Sequence, residues 1–575
     1  MGIRDDLTPL ESRLVECAAA GEELDCAPTG VTTAEFDQID DWEERKIRAW
    51  VLVALCTGEV PDWSVHPRRG LQLRGAYIAG RVDLSRAQMT QCPLDFHTCR
   101  FEEDVVLYQA TSSDLSFTSC ALTLLNGVEL DSSASLHMTK TRLREMLFDR
   151  ASFRGIVQLS EVRLSNPGGE ALRAHSISAG DVNLLGTHVE GEVGLVDANI
   201  SGQLACTYRI VDVRPERACL EVTTLSNPGG KALNADGISA GNVFLLGATH
   251  VNGEVRLLGA NIRHELACLE GTTLSSPGGE ALNADGISAR SVILRRTHVN
   301  GEVRLLGANI RYQLACLEGT TLSSLGGEAL NAEGCHVGGT LIFRLGEAAV
   351  GTVSLAYAQV GTLAYDLASW PDTYDLVGFS YHSLAGDQDL AGRLRWISNS
   401  SPFSPHVYTQ LAEVYRRSGH EGLARQVAIR REQGRGRQRD LSRWVRAWSR
   451  FLGLTVAYGY QPWRALVPLV VLFVVGSFLF SRPPAQKVMV HPSTKIERPI
   501  SAATCHKFYP CFSPSVYVLD ILLPIVDLNQ ERNWVPARTR PWGGWYEVLT
   551  WVLIAFGWIF TTAVVAGIGS LWRRE

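Results

Sequence analysis

Few residue sets in this chain have the types and spacing that chemistry needs. His188, His250 and His298 recur with Glu192, Glu254 and Glu302 four residues on. Stacked copies would align them into a row able to hold a metal or an anion, although copying of a repeat explains the recurrence equally. Asp520 and Asp527 lie within "SVYVLDILLPIVDLN". They are candidate ion-path residues of a re-entrant element, the alternative being an amphipathic helix on the outer leaflet. Arg435, Arg437, Arg439, Arg443, Trp444, Arg446, Trp448 and Arg450 make a basic stretch interleaved with tryptophan. Its position just before an apolar run suits contact with anionic lipid rather than nucleic acid. Cys505 and Cys511 are a possible disulfide. The chain has no GxGxxG after a strand, no GxxxxGK[ST] and no HExxH. No catalytic, cofactor-binding or metal-ligating residue is assigned, and catalysis is not the expectation.

The elements that must position these residues are repeats. His250 to Ala289 returns almost word for word from His298, and a more diverged copy starts at His188. From Leu71 the pattern is apolar-x-apolar triplets at steps of five to seven (Leu71-x-Leu73, Ala76-x-Ile78, Val82-x-Leu84). Alternation points both apolar side chains of a triplet to one face, and such short steps suit a coil that bends every few residues. The fold class is therefore mainly β: a right-handed quadrilateral parallel β-solenoid of about fourteen coils, ~65 Å long at ~4.8 Å per coil. Glycine pairs at Gly168, Gly229, Gly278 and Gly326 predict a ladder of protruding turns, two coils per step, on one flank. The longer first interval, near Thr207 to Ala218, reads as a loop insertion.

At 575 residues with a net charge of -6 and pI near 6.2, the chain holds several folded units and lacks the basic balance of a nucleic-acid binder. Residues 1–66 read as a helical cap, with Thr8-Pro9-Leu10-Glu11 opening its first helix and a second helix from about Asp40 to Cys56. The solenoid occupies 67–366 and an end cap 367–407. Residues 408–461 hold a helical hairpin, similar to one tetratricopeptide unit, and the basic juxtamembrane helix. Residues 462–575 form a two-helix membrane anchor, with spans at Ala465 to Ser481 and Val548 to Leu571 and an external loop at 483–545. Arginines before the first span and Arg573-Arg574 after the second place both termini in the cytoplasm. Thr455 to Tyr460, "TVAYGY", looks like a selectivity filter but precedes the first span, which favours an interfacial aromatic belt. Several cysteines of the repeat, Cys206, Cys219, Cys268 and Cys316, are expected in the solenoid core.

"LQLRGAYIAGRVDLSRA", the "GEVRLLGANI…QLAC…GGEALNA" units, "AYGYQPWRA" and "LDILLPIVDLNQERNW" together resemble a family of large actinobacterial membrane proteins. Its members are labelled membrane-associated oxidoreductase and are related to pentapeptide-repeat β-solenoids. The resemblance covers nearly the whole chain and implies a plasma-membrane location and, from the label, redox activity, with no catalytic residue to carry over. The expected function is a membrane-tethered scaffold that binds lipid through its tail and an unidentified protein along the solenoid. The alternatives are an oxidoreductase, or a channel or transmembrane sensor made by oligomerised two-helix units.

Overall fold

The computed structural model describes residues 6–26, 42–90, 92–206, 222–247, 249–386, 389–435, 462–491, 510–523 and 525–572. The chain divides into two units, Met1–Gln410 and Leu411–Glu575.

The first unit is a parallel β-solenoid of about 13 turns. Its first turn uses four strands, Leu71–Arg74, Tyr77–Ala79, Val82–Asp83 and Gln88–Met89, and the next turn stacks in register, Leu71 on Leu94 and Leu73 on Phe96. Leu71 and Leu73 point inward and are buried, while Gln72 and Arg74 face out, as the triplet pattern requires. From His188 onward two long strands replace four short ones in each turn, for example Thr273–Asn283 and Ser288–Arg295. One corner of every turn is closed by a left-handed residue. It is Arg86, Gln109, Glu129, Arg150, Ser176 and Asp197 in the diverged turns, then Gly237, Gly259, Gly286, Gly307 and Gly334 in the copied ones. Glycine holds that conformation without the roughly 1–2 kcal/mol that a Cβ costs there.

A second corner carries a ladder of buried hydroxyls. Thr141, Thr187, Thr223, Thr249, Thr272, Thr297 and Thr320 are at most 2% exposed. Thr272 Oγ1 donates to the Leu245 and Leu269 carbonyls at 2.8 Å, and Thr297 Oγ1 to that of Cys268 at 2.7 Å. The hydroxyls of Thr141 to Thr297 satisfy backbone carbonyls that the corner turns away from the sheets, while that of Thr320 has no partner among the described residues. In the earlier turns Cys99 and Cys120 take the same place, and the Cys99 N–H donates to Cys120 Sγ at 3.5 Å. Cys206, Cys268 and Cys316 lie in the apolar core, where burial pushes their thiols up to about 12. They are packing groups, not nucleophiles.

Both ends of the stack are covered, which an open parallel edge demands. Helix α1 (Pro9–Ala20) has the expected capping box, and its Glu11 is fully buried. That carboxylate accepts from the Thr8 N–H at 2.9 Å, from Arg48 Nε at 2.9 Å and from Arg48 Nη2 at 2.7 Å. The expected second helix is shorter than its sequence pattern: α2 spans Ala49–Thr57, and Lys46–Arg48 is instead a strand paired with Tyr77–Ala79. Tertiary pairing has overridden a helical period there, because the first turn needs a partner. At the other end the strands Tyr374–Asp375 and Ser380–Ala385 add a turn beyond residue 366, and α3 (Leu390–Asn399) covers it. Trp396 of α3 packs on Tyr365 and Trp370, with ring centroids 4.5 and 5.4 Å apart.

Helices α4 (Pro405–Arg417) and α5 (Glu421–Arg435) form the expected hairpin, turned at Gly419 with φ +77°. The rest of the second unit includes helices α6 (Leu466–Ser481), α7 (Pro514–Leu522) and α8 (Gly543–Trp572), with a six-residue helical segment at Pro483–Val488. Within α8, Gly543–Thr562 is long and apolar enough to cross a membrane, with mean hydropathy 1.3, whereas α6 is shorter, at 16 residues. Helix α7 packs against both, burying Tyr517, Val518, Ile521 and Leu522 with Phe480 and Leu553.

Candidate functional site

The glycine-pair turns all leave one sheet. In each, four residues (Asn166-Pro167-Gly168-Gly169, Asn227–Gly230, Ser276–Gly279, Ser324–Gly327) stand opposite a single glycine on the next turn. That glycine (Gly191, Gly253, Gly301 or Gly351) has φ between +118° and +134°, and a Cβ on it would lie 2.5–2.7 Å from a carbonyl oxygen of the protruding loop. Loop and glycine thus require each other, so the loops appear only on alternate turns, ~9.6 Å apart.

Beneath the loops runs a row of carboxylates on successive turns: Glu254, Glu280, Glu302 and Glu328, preceded by Glu170, Glu192 and Lys231. Burial, reinforced by the facing Glu280, raises Glu254, and burial with the facing Glu328 raises Glu302. The row is otherwise paired inward: Arg304 Nη1 donates to Glu280 at 3.0 Å, and Asn234 Nδ2 to Glu192 at 2.8 Å. Arg256 and Arg304 in turn hold Asp236 and Asp285 at 2.7 Å.

The histidines form no row of their own. In register His188 faces Thr224, Thr224 faces His250, His250 faces Thr273, and Thr273 faces His298. Successive rings are two turns apart, too far for one metal ion with ligands at about 2 Å to join them. His298 Nδ1 pairs with Thr321 Oγ1 at 3.0 Å. Among the described residues no group of three or more metal-ligating side chains converges.

A different corner, which the sequence reading overlooked, collects positive charge. Between the register pairs Ile262–Ala289 and Glu265–Ser291 stand Arg263 and His264 on one turn and Arg290 on the next. On the third turn Arg311 and Tyr312 occupy the same place, between Ile310 and Gln313. All five side chains are exposed. The turns on either side have only Gly241 before them and Gly338-Gly339 after them. Arg263 Nη2 reaches back across Gly241 to the carbonyls of Ile200 and Ser201. The Arg290 guanidinium sits 5.8 Å from the Tyr312 ring centroid. Neither Arg290 nor Arg311 makes an ion pair among the described residues. The signal was present in the repeat: "ISAGDV" and "ISAGNV" carry glycine where "ISARSV" carries Arg290.

Of the other residues singled out from sequence, Asp520 is buried and accepts the backbone N–H groups of Leu528, Gln530 and Glu531 at 2.7–2.8 Å. Its geometry is that of a staple holding the returning chain. Asp527 is exposed and pairs with Arg532 at 3.0 Å. Arg435 ends α5. Arg437, Arg439, Arg443, Trp444, Arg446, Trp448 and Arg450, the 455–460 motif, the 207–218 insertion, Cys219 and Cys505 lie outside the described residues. Cys511 is disulfide-bonded. Comparison with family models, curated proteins and solved structures gives no match for this chain.

Proposed function

We propose that this chain is a membrane-tethered scaffold whose solenoid binds an acidic protein segment at the Arg263–Arg290–Arg311 corner. The observation that carries the reading is that Arg290 and Arg311 are exposed and lack an acidic partner among the described residues, while the arginines Arg256 and Arg304 of the same turns are paired. Three arginine positions at ~4.8 Å steps span about 10 Å. That suits two or three carboxylates of an extended peptide and is short for a nucleic acid, whose affinity comes from many phosphates. Tyr312 adds an aromatic face with a polar tip, a common anchor in protein interfaces. The tether is a two-span hairpin of α6 and α8, with both termini cytoplasmic, residues 483–545 outside, and the basic stretch from Arg435 to Arg450 on anionic lipid. Exposed Val467, Val470, Val474 and Phe478 on α6 and Val548, Trp551 and Ile559 on α8 support this, since they leave an apolar surface that no described residue covers.

A photo-crosslinking amino acid at Tyr312, in native membranes, tests the scaffold. The expected result is a protein adduct that fades as salt rises and is lost with Arg290→Gly plus Arg311→Ala. No adduct, or one indifferent to salt and to both substitutions, overturns the reading. The redox alternative carried by the resemblance predicts the absorbance of a bound flavin or haem in the purified chain.

A further inference from the structure

The free cysteines of the first unit are of two kinds. Those of the stack are occupied by the fold. Cys99 Sγ donates to the Leu73 and His97 carbonyls at 3.4 and 3.2 Å, and Cys120 Sγ to those of Phe96 and Thr118 at 3.2 and 3.4 Å. Both take the ladder position that threonine fills later, and both are at most 2% exposed. Cys206, Cys268, Cys316 and Cys335 are sealed among core side chains. Thiols held in these ways are inert.

Cys56 and Cys92 are held differently. Cys56 lies in the last turn of α2, which ends at Gly58. Helix α2 packs against the strands Val82–Asp83 and Gln88–Met89 of the first solenoid turn. Three residues past Met89 the Cys92 N–H donates to the Met89 carbonyl at 3.0 Å, which fixes Cys92 at the corner beside α2. There the two thiols are in hydrogen-bond contact, and no other titratable side chain acts on either. The pair therefore straddles the seam between the cap and the stack.

The two sulfurs are not equivalent. Cys56 stands at the carbonyl end of its helix, where negative charge is disfavoured, and the hydrogen bond with Cys92 and burial push its thiol well up. The same hydrogen bond, helped by the Leu71 N–H, holds Cys92 below the ordinary thiol range against the effect of burial. Cys92 is thus the thiolate of the pair and Cys56 its proton donor. Cys92 also lies on a corner, two residues after the exposed Thr90, rather than inside a ladder strand.

We propose that Cys56 and Cys92 are a redox-active dithiol, which a hydroperoxide converts to a disulfide that fastens the N-terminal cap to the solenoid. The Cys92 thiolate attacks the O–O bond, keeping one oxygen as a sulfenic acid and releasing the other as an alcohol or water. Cys56 then attacks that sulfur: the S–S bond forms, the S–O bond breaks and water leaves. The two thiols lose two electrons to the peroxide, and their protons leave in its reduced products. The sulfurs, already in contact, close to about 2.05 Å on bonding. The bond would secure the element that covers the end of the stack, since Lys46–Arg48, just before α2, closes the edge at Tyr77–Ala79.

The test uses the full chain in membranes, treated with hydrogen peroxide, alkylated and digested without reductant. Mass spectrometry should find the Cys56 and Cys92 peptides joined, and dithiothreitol should part them. In Cys56→Ser, dimedone, which tags sulfenic acids, should label Cys92; in Cys92→Ser the label on Cys56 should be about tenfold weaker. Equal labelling overturns Cys92 as the attacking thiol. Hydrogen exchange reads the fastening: amides of α2 should exchange about tenfold more slowly after oxidation and recover with dithiothreitol, because a disulfide suppresses opening of the segment that it closes. Should the serine variants fail to fold, the unsubstituted chain still decides. No joined peptide, or oxidation that falls on Cys99 and Cys120 as readily as on Cys92, overturns the pair. A joined peptide with unchanged exchange in α2 overturns the fastening of the cap.

Discussion

The glutamate row and the arginine corner are built on the same turns of the solenoid, yet their surroundings differ. Glu280 has Arg304 and Asn283, Glu192 has Asn234, and Glu328 has Asn331, so the row is drawn into the wall of the stack. Arg290 has the Tyr312 ring beside it, and Arg290 and Arg311 are both exposed. The first pattern is repeated wherever the repeat is repeated. The second departs from it, because Arg290 replaces the glycine that stands at Gly180 and Gly241. A charge that recurs with the copies and is paired inward belongs to the coil; a charge added at one turn and left unpaired asks for a partner from outside.

If that division is right, the flank under the loops should fail first on backbone changes, and hardest at its crowded glycines. Gly301→Ala should lower unfolding free energy by about 2–4 kcal/mol, since φ is +134° and the new Cβ meets the Ser276 carbonyl at 2.7 Å. Gly278→Ala, at φ +74° with open space around it, should cost only about 1 kcal/mol. Denaturant unfolding of both variants measures the contrast, and equal losses would show that crowding is not what sets the two-turn period. Next in size, Thr272→Val should cost about 1–3 kcal/mol by the same assay, because it strips the Leu245 and Leu269 carbonyls of their donor.

How far the sequence carried this picture depends on the kind of signal. The solenoid was legible because triplet alternation and the recurring glycine pairs are local and periodic, and Gly168, Gly229, Gly278 and Gly326 do sit at the loop tips. Gly253 and Gly301 were not read as partners of those loops, since the contact is between turns and has no signature within either. Lys46–Arg48 was read as helix because its strand partner, Tyr77–Ala79, lies thirty residues on. Asp520 was legible as unusual for its apolar setting, but not as a staple, which needs the fold-back of Leu528 to Glu531. The histidine row failed for a similar reason: copies two turns apart do not touch. The arginine corner was readable only by aligning "ISAGNV" with "ISARSV" and asking why one copy changed.

Two carboxylates set by their surroundings, Glu11 and Glu302, should respond to pH in opposite directions. Burial alone would raise Glu11, but the hydrogen bonds from Arg48 and the backbone hold it at about 2 against an ordinary 4.5. Its contribution is present above about pH 4.5 and is lost as pH falls towards 2. Glu302 is raised by burial and by Glu328, so its charged form is disfavoured by folding; the penalty is absent below its ordinary 4.5 and grows as pH rises past it. Glu302→Gln should therefore stabilise the solenoid at neutral pH, by about 0.2–1 kcal/mol for removing a like-charge cross-strand pair. The gain should vanish near pH 4, whereas Glu11→Gln should destabilise at neutral pH and lose that effect only in stronger acid. Thermal melts across that range decide it.

The smallest expected effect on stability is the most discriminating. Arg290→Gly restores the residue that the equivalent turns carry and removes no ion pair, so unfolding should shift by no more than about 0.5 kcal/mol. Glycine already stands at this corner at Gly241, two turns before Arg290. The Tyr312 ring would lose its cation, and the corner one of its three arginines. A variant that melts like the parent but no longer crosslinks at Tyr312 would separate contact from architecture. A variant that loses several kcal/mol would place Arg290 with Arg256 and Arg304 as part of the coil, and the contrast between the two rows would collapse.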